Sequence, residues 1–478
     1  MRLLVWFRRD FRVRDHSALF EASKAADEGV VGVFLVSTRQ WKKHDDAAAK
    51  IDFWFRNLQR LRASLARFNI PLLIREASTY EEAPQVLERV VAETRSNGLY
   101  YNREYEINEL RRDAAVEKRF AQRGHSVRIF DDRVIVAPGE VRTKYGHFYT
   151  VFSPFRQAWI KQFERTPPRI FPLPKKQLDT GFKSSSIPGA VTGFDFSLSR
   201  SDLWPPGEEV ARRRLRQFVS KQIAAYKDHR DLPALNGTSL LSPYLAAGVL
   251  SPRQCFRATQ SANDGKIDIG DPGATTWMSE LIWREFYTHV LVGFQRVSKG
   301  RAFSKQYDAV DWRFDEGEYA AWRDGRTGYP IVDAAMRQLR QTGWMHNRLR
   351  MVAAMFLSKH LLIDWRHGER HFMRHLVDGD LAANNGGWQW SASTGTDAAP
   401  YFRIFNPYSQ SRRFDPNGEF ISRFCPELVD LPPKNLHDGS PSAQQARKRV
   451  GYPTPIVDHR EARKRALKAF GVLKSNQK

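Results

Sequence analysis

The sequence predicts an α/β amino-terminal domain built on a parallel sheet, joined by a long linker to an all-α carboxyl-terminal domain. Three observations carry that prediction. The first third alternates short, continuous apolar runs with amphipathic helical stretches, the pattern of a parallel sheet covered by helices on both faces. Residues 134–205 are rich in Pro, Gly and Ser, as a connector running over the surface should be. From residue 206 onward the apolar residues recur at helical spacing.

The strands are "LLVWF" (3–7), "VVGVFLVS" (30–37), "IPLLIRE" (70–76), "GLYYNRE" (98–104) and "VRIF" (127–130), with helices expected near 17–27, 46–68, 80–96 and 108–123. Residues 1–133 thus read as a Rossmann-like domain, whose ligands belong beyond the carboxyl ends of the strands. No GxGxxG follows the first strand, so the usual dinucleotide fingerprint is missing. In the linker, "RTPPRIFPLPKK" and "KSSSIPGAVTGFDFSLSRSDLWPPGEE" resist regular structure, and one helix is expected to open at Ser153-Pro154. In the helical domain, residues 206–478, Ser242-Pro243 and Ser251-Pro252 each set a capping hydroxyl before a proline suited to the first turn. "WMSELIWREFYTHVL" (277–291) and "YPIVDAAMRQLRQTG" (329–343) are amphipathic. The last forty residues are strongly basic and read as a helix with a frayed tail.

The 478 residues include 76 Lys and Arg against 53 Asp and Glu, a net charge of +23. That excess points to a polyanionic partner, nucleic acid first and acidic membrane surface second. An apolar fraction of 41% supports a full core. The two cysteines, Cys255 and Cys425, make neither a disulfide framework nor a thiolate metal site and suit a reducing, cytoplasmic setting. The opening "MRLLVWFRRDFRVRD" lacks the form of a signal peptide, and no apolar run is long enough to span a membrane.

Eight of the thirteen tryptophans lie between 277 and 390. Trp277 and Trp283, six apart on one helix, must face different surroundings. "GTSLLSPYL" (237–245) brings Thr238, Ser239 and Ser242 to a helix start, a candidate phosphate cradle. "HGERHFMRH" (367–375) spaces three histidines at i, i+4 and i+8. It lacks the HExxH order, and no carboxylate stands at the right place for a ligand, so it reads as a basic helical face and not a metal site. "DGD" (378–380) offers two carboxylates for acid–base work or for hydrogen bonding a flat heterocycle and a ribose. The following "NNGGWQW" (384–390) carries aromatic mass and glycine but no acid, base or nucleophile.

"DGDLAANNGGWQWSASTGTDAAPYFRIFNP" (378–407), "GYPIVDAAMRQLRQTGWMHNRLRM" (328–351), "WMSELIWREFYTHV" (277–290) and "LVWFRRDFRVRDHSAL" (4–19) resemble, over the whole chain and in order, the class I cyclobutane pyrimidine dimer photolyases of the photolyase/cryptochrome family. The resemblance implies a DNA repair enzyme in which light drives an electron from reduced, anionic FAD into a pyrimidine dimer flipped out of ultraviolet-damaged DNA. It implies that the all-α domain binds FAD through Tyr226, the turn Thr238, Ser239, Leu240, Leu241 and Ser242 at the diphosphate, Trp277, Arg284, Arg350, Asp378, Gly379, Asp380 and Asn384. Asn384 would lie beside flavin N5, and Arg350 would offset the charge of Asp378. Glu280, Trp283, Asn347, Met351 and Trp390 would form the dimer pocket, with Glu280 bonding a pyrimidine edge, while Arg230, Arg348 and Gln410 would contact DNA. Trp312, Trp365 and Trp388 match the family's photoreduction chain. His44, Asn108, Glu109 and Lys299 resemble the site of an antenna pigment, 5,10-methenyltetrahydrofolate. A monomer without obligate protein partner is the family expectation.

Three other readings compete. A 6-4 photoproduct photolyase typically carries a His-rich segment where this chain has "WMHNRLRM" (344–351). A cryptochrome photoreceptor often changes the residue at Asn384 and adds a long carboxyl-terminal extension. A basic DNA-binding regulator with a vestigial flavin site has no need of Glu280, Trp283 and Met351.

Overall fold

The computed structural model describes residues 1–197, 199–397 and 403–475. The "AAPYF" portion of the longest motif (398–402) and the end of the expected frayed tail (476–478) lie outside them. In chain order the elements begin with β1 (Leu3–Phe7), α1 (Ser17–Ala25), β2 (Val30–Val36), α2 (Thr38–Lys43), α3 (Ala48–Ala66), β3 (Leu72–Glu76), α4 (Ala83–Thr94), β4 (Gly98–Asn102), α5 (Ile107–Gln122) and β5 (Ser126–Phe130). They continue through α6 (Phe152–Arg165), α7 (Glu208–Lys221), α8 (Tyr226–His229), α9 (Ser242–Ala246), α10 (Pro252–Ala262), α11 (Pro272–Gly293), α12 (Glu316–Asp324), α13 (Pro330–Thr342), α14 (Asn347–Met355), α15 (Trp365–Met373) and α16 (Leu381–Ala392). The last helices are α17 (Pro407–Phe414), α18 (Glu419–Phe424), α19 (Pro433–Leu436), α20 (Pro441–Arg449) and α21 (His459–Ser475). The short α2 is the one helix of the first third that the apolar pattern did not announce.

These elements form two compact units. The first comprises Met1–Ala224, Ser239–Gln295 and Val377–Asp380; the second comprises Ala225–Thr238, Arg296–Leu376 and Leu381–Lys478.

The first unit is organised by a five-stranded, all-parallel sheet of order β3-β2-β1-β4-β5. Leu4, Trp6, Val31, Val33, Leu99 and Tyr101 bury one face against Val86, Leu87, Val90 and Phe120 of the flanking helices. Apolar residues on both faces explain why the strands read as continuous rather than alternating runs. The strand order reverses between β1 and β4, so the switch-point crevice opens beyond their carboxyl ends. Arg8, Arg9, Glu104 and Glu106 stand there. The edge strand β3 does not face solvent bare: Ser184 and Ser185 hydroxyls accept from the Leu72 and Ile74 amides at 3.0 and 3.1 Å. Part of the connector thereby closes an edge that would otherwise template aggregation. Helix α6 buries Phe155, Trp159 and Phe163.

The cap expected at Ser251 is present, with a reciprocal capping box to Gln254 that opens α10. The cap expected at Ser242 is not. Ser242 is itself the first residue of α9, Leu241 precedes it, and the helix is only five residues long. The proline at its second position fits the helix start, but the hydroxyl is already inside it.

The second unit is held by one large core that includes Trp322, Tyr329, Met336, Leu349, Phe356, Trp365, Phe372 and Trp388. After α14 the chain winds wider for one turn, Phe356–His360, in π-helical form. No helix among the described residues is long and apolar enough to cross a membrane.

Candidate active site

In the first unit, α11 carries four of the expected site residues on successive turns. Asp271 caps it, accepting from the Ala274 amide at 2.7 Å. Trp277 and Arg284, seven apart, share one side, with Glu280 a turn from each. Trp277 is buried against Phe218, with ring centroids 5.0 Å apart. Trp283 points elsewhere, as six-residue spacing requires, and lies flat on Phe152 at 3.6 Å and 9°. That stacking fixes an indole which still keeps part of its surface open.

The turn at 239–242 has the backbone of an anion site. Leu240 takes φ of 51°, a left-handed conformation rare for a branched side chain. Leu241 follows at φ −92° and ψ −8°. Consecutive residues of opposite hand turn their N–H groups to one side, the arrangement called a nest that receives phosphate oxygens. The Leu240 carbonyl accepts from Arg214 at 3.2 Å, and the Ser239 hydroxyl faces the Leu241 amide at 3.4 Å. Ser242 is exposed. Strain held in place at this turn fits a diphosphate there, whereas a short helix alone would not.

Asp378 and Gly379 are buried; Asp380 is half-buried and ion-paired to Arg133 at 3.1 Å. Arg284 donates to the carbonyl of that same Arg133 at 2.8 Å. Burial lowers the Arg284 guanidinium from its ordinary range, and Asp380 opposes that shift. Arg133 in turn faces Glu106 at 3.7 Å and Glu104 at 3.8 Å, and Arg9 bridges the same two carboxylates at 2.6 and 2.5 Å. Burial alone would raise Glu104, but Arg9, Arg112 and Arg8 outweigh it and hold it well below the usual carboxylate range. The next clamp is Glu285. Its carboxylate accepts from the Ile135 amide, from the Val136 amide at 3.1 Å and from the Trp159 indole at 2.7 Å. Burial pushes Glu285 up to about 7 even so.

Sequence reasoning missed Arg133 and Glu285. A signal for Arg133 existed: "DDR" (131–133) puts three charged residues directly after β5, at the carboxyl edge of the sheet where ligands of such folds gather.

Three residues expected to hold an antenna pigment cluster in the first unit. His44 Nε2 accepts from the Gln40 and Asn108 amides at 2.8 and 3.0 Å, and its Nδ1 lies 3.6 Å from Glu109. Tyr80 donates to Glu109 Oε1 at 3.1 Å, while the buried Oε2 has no partner. Burial, then the charge of Glu106, raises the Glu109 carboxyl. An enclosed carboxyl with one unused oxygen fits a heterocycle bearing N–H donors. Lys299 is exposed on a short 3₁₀ turn of the second unit.

In that second unit, Asn384 sits on α16 with its amide donating to the Glu369 carbonyl at 3.0 Å, and Asn385 donates to the Glu369 carboxylate at 2.7 Å. The side chain expected beside flavin N5 is thus oriented from behind. Burial pushes Glu369 up to about 7. Tyr226 is buried with Arg230 over its ring at 5.5 Å. Thr238 is half-buried, and Arg350 donates to the Met345 carbonyl at 2.8 Å. Arg348 holds Asp231 through two nitrogens, at 2.6 and 3.2 Å, and approaches Met351 sulfur at 3.9 Å. Asn347 is exposed and Trp390 half-buried. Gln410 on α17 has a buried, unpartnered Oε1.

The three tryptophans expected to relay electrons share a feature that sets them apart from Trp159 and Trp322. Trp159 and Trp322 donate to protein oxygens, Trp322 to Ala353 at 3.0 Å. The Nε1 atoms of Trp312, Trp365 and Trp388 are buried without a partner. Trp365 and Trp388 are enclosed in the core, and Trp312 packs against it from a half-buried position.

The histidine stripe on α15 corrects the expectation of a basic face. His371 is buried, edge-on to Trp322 at 5.3 Å, and its ring lies 4.2 Å from that of His375. Burial pulls all three imidazoles below their ordinary range. His371 turns into the core, and His367 and His375 are half-buried beside it, so the stripe packs against the protein instead of forming an open basic surface. Among the described residues no group of His, Cys, Asp or Glu has the arrangement to hold a metal ion.

Comparison with known proteins identifies the family and the fold. Residues 3–175 match the DNA photolyase family and residues 277–472 the FAD binding domain of DNA photolyase. The deoxyribodipyrimidine photo-lyase of Escherichia coli (strain K12) is 44% identical over 98% of this chain and 98% of its own. The crystal structure of a class III photolyase from Agrobacterium tumefaciens superposes with a TM-score of 0.88 at 36% identity, covering 99% of this chain and 98% of that one. An archaeal photolyase from Sulfolobus tokodaii, described with two FAD molecules, gives 0.79 at 30% identity, covering 99% of this chain and all of that one.

Proposed function

We propose, from the premise that this chain belongs to the photolyase/cryptochrome family, that it is a deoxyribodipyrimidine photolyase, using light to split cyclobutane pyrimidine dimers in DNA. One observation carries the reading. Helix α11 is one continuous helix of 22 residues that carries Trp277 and Arg284 together with Glu280 and Trp283. The side chains for the cofactor and those for the lesion are therefore held in fixed relation by one element. A photoreceptor or a plain DNA-binding protein has no use for that second pair.

FAD, when bound and reduced, supplies the light-driven electron that opens the cyclobutane ring. The chain supplies placement. The nest at Leu240 and Leu241, with Ser239 and Ser242 of the same turn, holds the diphosphate; Tyr226 and Thr238 are further FAD-binding residues. Asp378, Gly379 and Asp380 bind the ring and ribose; Trp277, Arg284 and Arg350 are further cofactor-binding residues. Asn384, anchored through Glu369, presents a neutral amide that bonds without giving up a proton. Glu280 accepts from a pyrimidine N–H; Trp283 and Trp390 pack the extruded bases, with Asn347 and Met351 at the pocket wall. Arg230, Arg348 and Gln410 take the DNA strand. Trp312, Trp365 and Trp388 bring electrons to oxidised flavin. His44, Asn108, Glu109 and Lys299 hold a second pigment, which we assign as 5,10-methenyltetrahydrofolate because Glu109 offers an unused carboxyl oxygen to a pterin. Chromatography of pigments released on unfolding identifies it; a second flavin in its place overturns that assignment.

The function is tested by anaerobic illumination of the flavin-reduced protein with dimer-containing DNA. Thymine recovery in light and none in darkness is expected, with Glu280→Gln slower than wild type. No recovery from protein that retains its FAD would refute the proposal.

A further inference from the structure

We propose that Arg133 is a positioning residue for flavin binding: it fixes Asp380 through its guanidinium and Arg284 through its carbonyl. The inference rests on the reading of Asp380 and Arg284 as flavin contacts.

Both bonds start from one residue, yet they leave in different directions, the side chain to Asp380 at 3.1 Å and the carbonyl to Arg284 at 2.8 Å. A residue can align two partners only if it is itself held, and the chain is tied down on both sides of Arg133. The chain just before it is tied down at Asp132, whose carboxylate accepts from Arg253 at 2.6 Å and the Ser17 amide at 3.0 Å. The chain just after it is tied down at Ile135 and Val136 by the Glu285 carboxylate. Glu285 neighbours Arg284 on α11, so the backbone at 133–136 and the helix bearing Trp277 and Glu280 are joined twice within two residues.

The charges explain why an arginine is needed. Glu104, Glu106 and Asp380 bring three carboxylates into one buried region, and the charge of Asp380 acts on Glu106 to raise it. Arg9 serves the two glutamates. Without Arg133, Asp380 loses the guanidinium that meets it at 3.1 Å, and Arg284, whose charge also acts with Asp380, loses the carbonyl that orients it. The planar guanidinium can meet Asp380 with one nitrogen while the other faces Glu104 and Glu106; an ammonium group cannot do both at once.

The test uses the full-length protein freed of flavin and titrated with FAD, following the quenching of flavin fluorescence. Arg133→Gln is expected to weaken FAD binding about tenfold, the worth of one charge-assisted hydrogen bond. It should also blur the fine structure of the bound oxidised flavin's absorption band, since ring contacts become heterogeneous. Arg133→Lys should restore most of the affinity but only part of the fine structure. Asp380→Asn should weaken binding by itself, and the pair Arg133→Gln with Asp380→Asn should be little worse than the worse single change, as coupled residues are. Wild-type affinity and spectrum in Arg133→Gln, or additive losses in the pair, overturn the proposal. Unchanged affinity in Asp380→Asn overturns it at its root, because then Asp380 is no flavin contact. Should Arg133→Gln fail to fold, Arg133→Lys decides alone: a wild-type spectrum refutes the two-sided role.

Discussion

Gly368 offers a calculation that links packing to electron relay. It lies on α15 directly under the Trp388 indole. A Cβ at that position would stand 2.5 Å from Cζ3 and 2.6 Å from Cζ2, with Cη2 nearer still, where ordinary contact begins at 3.4 Å. Gly368→Ala therefore needs a retreat of about 1 Å or more by one side. The indole has little room: Phe372 and Trp322 stand edge-on to it at 4.9 and 6.1 Å, and the ring is 2% exposed. Overpacking of this kind costs about 1–3 kcal/mol. Alanine in a helix interior returns about 1 kcal/mol relative to glycine. The net expectation is a loss of up to about 2 kcal/mol, opposite in sign to the same change at an open helical site. Two assays read it. Urea unfolding gives the stability, and continuous illumination of oxidised protein with an external reductant gives the photoreduction rate, which should fall severalfold as Trp388 is displaced. Repair by protein reduced chemically beforehand should fall less. A variant as stable as wild type, with an unchanged photoreduction rate, would refute the reasoning.

Three further outcomes are expected. His360 stacks on Phe356, its Nε2 is 2.8 Å from His459, and burial, then His459, pushes it down to about 3. Between about 3 and 6.5 the unfolded chain binds the extra proton, so stability falls as pH is lowered through that window, by up to about 1.4 kcal/mol per unit; His360→Phe should flatten the curve of urea midpoint against pH, and parallel curves would contradict this. Arg348 holds Asp231 at 2.6 Å, and if Arg348 takes a DNA phosphate the two compete for it, so Asp231→Asn should tighten binding to dimer-containing DNA at low salt and steepen the salt dependence by about 0.9 in log–log slope per phosphate gained; unchanged or weaker binding in a titration would count against Arg348 as a DNA contact. A Cβ at Gly387 meets nothing within 4 Å, so Gly387→Ala should stabilise the flavin-free protein by about 1 kcal/mol while weakening FAD affinity if the flavin lies against that backbone; improvement in both would remove the flavin from that face.

The fold was legible where physics is local. Strands buried on both faces announce themselves as unbroken apolar runs, and β1 begins and ends where "LLVWF" does. The Ser251 cap was legible because hydroxyl, proline and glutamine stand at fixed short offsets. Ser242 shows the limit of the same rule: the dipeptide is identical, but the strained turn at Leu240 sets where the helix starts, and a positive φ at leucine leaves no mark in composition. The histidine stripe was legible as spacing but not as direction, since nothing in "HGERHFMRH" says which side meets Trp322. The pairing of Arg133 with Asp380 spans 247 residues; only the resemblance of whole motifs, never local pattern, placed Asp380 at a flavin, and Arg133 lies outside those motifs.

The unpartnered indole nitrogens of Trp365 and Trp388 have a consequence for the direction of current. An oxidised tryptophan relaxes by shedding its N–H proton to a base or to water. These two rings are enclosed, and no protein group lies within hydrogen-bonding distance of either nitrogen. If they carry charge, a positive hole on either one has no protein base beside it to take the proton, and it persists until an electron arrives. A relay through these two rings would then be as able to return charge as to deliver it.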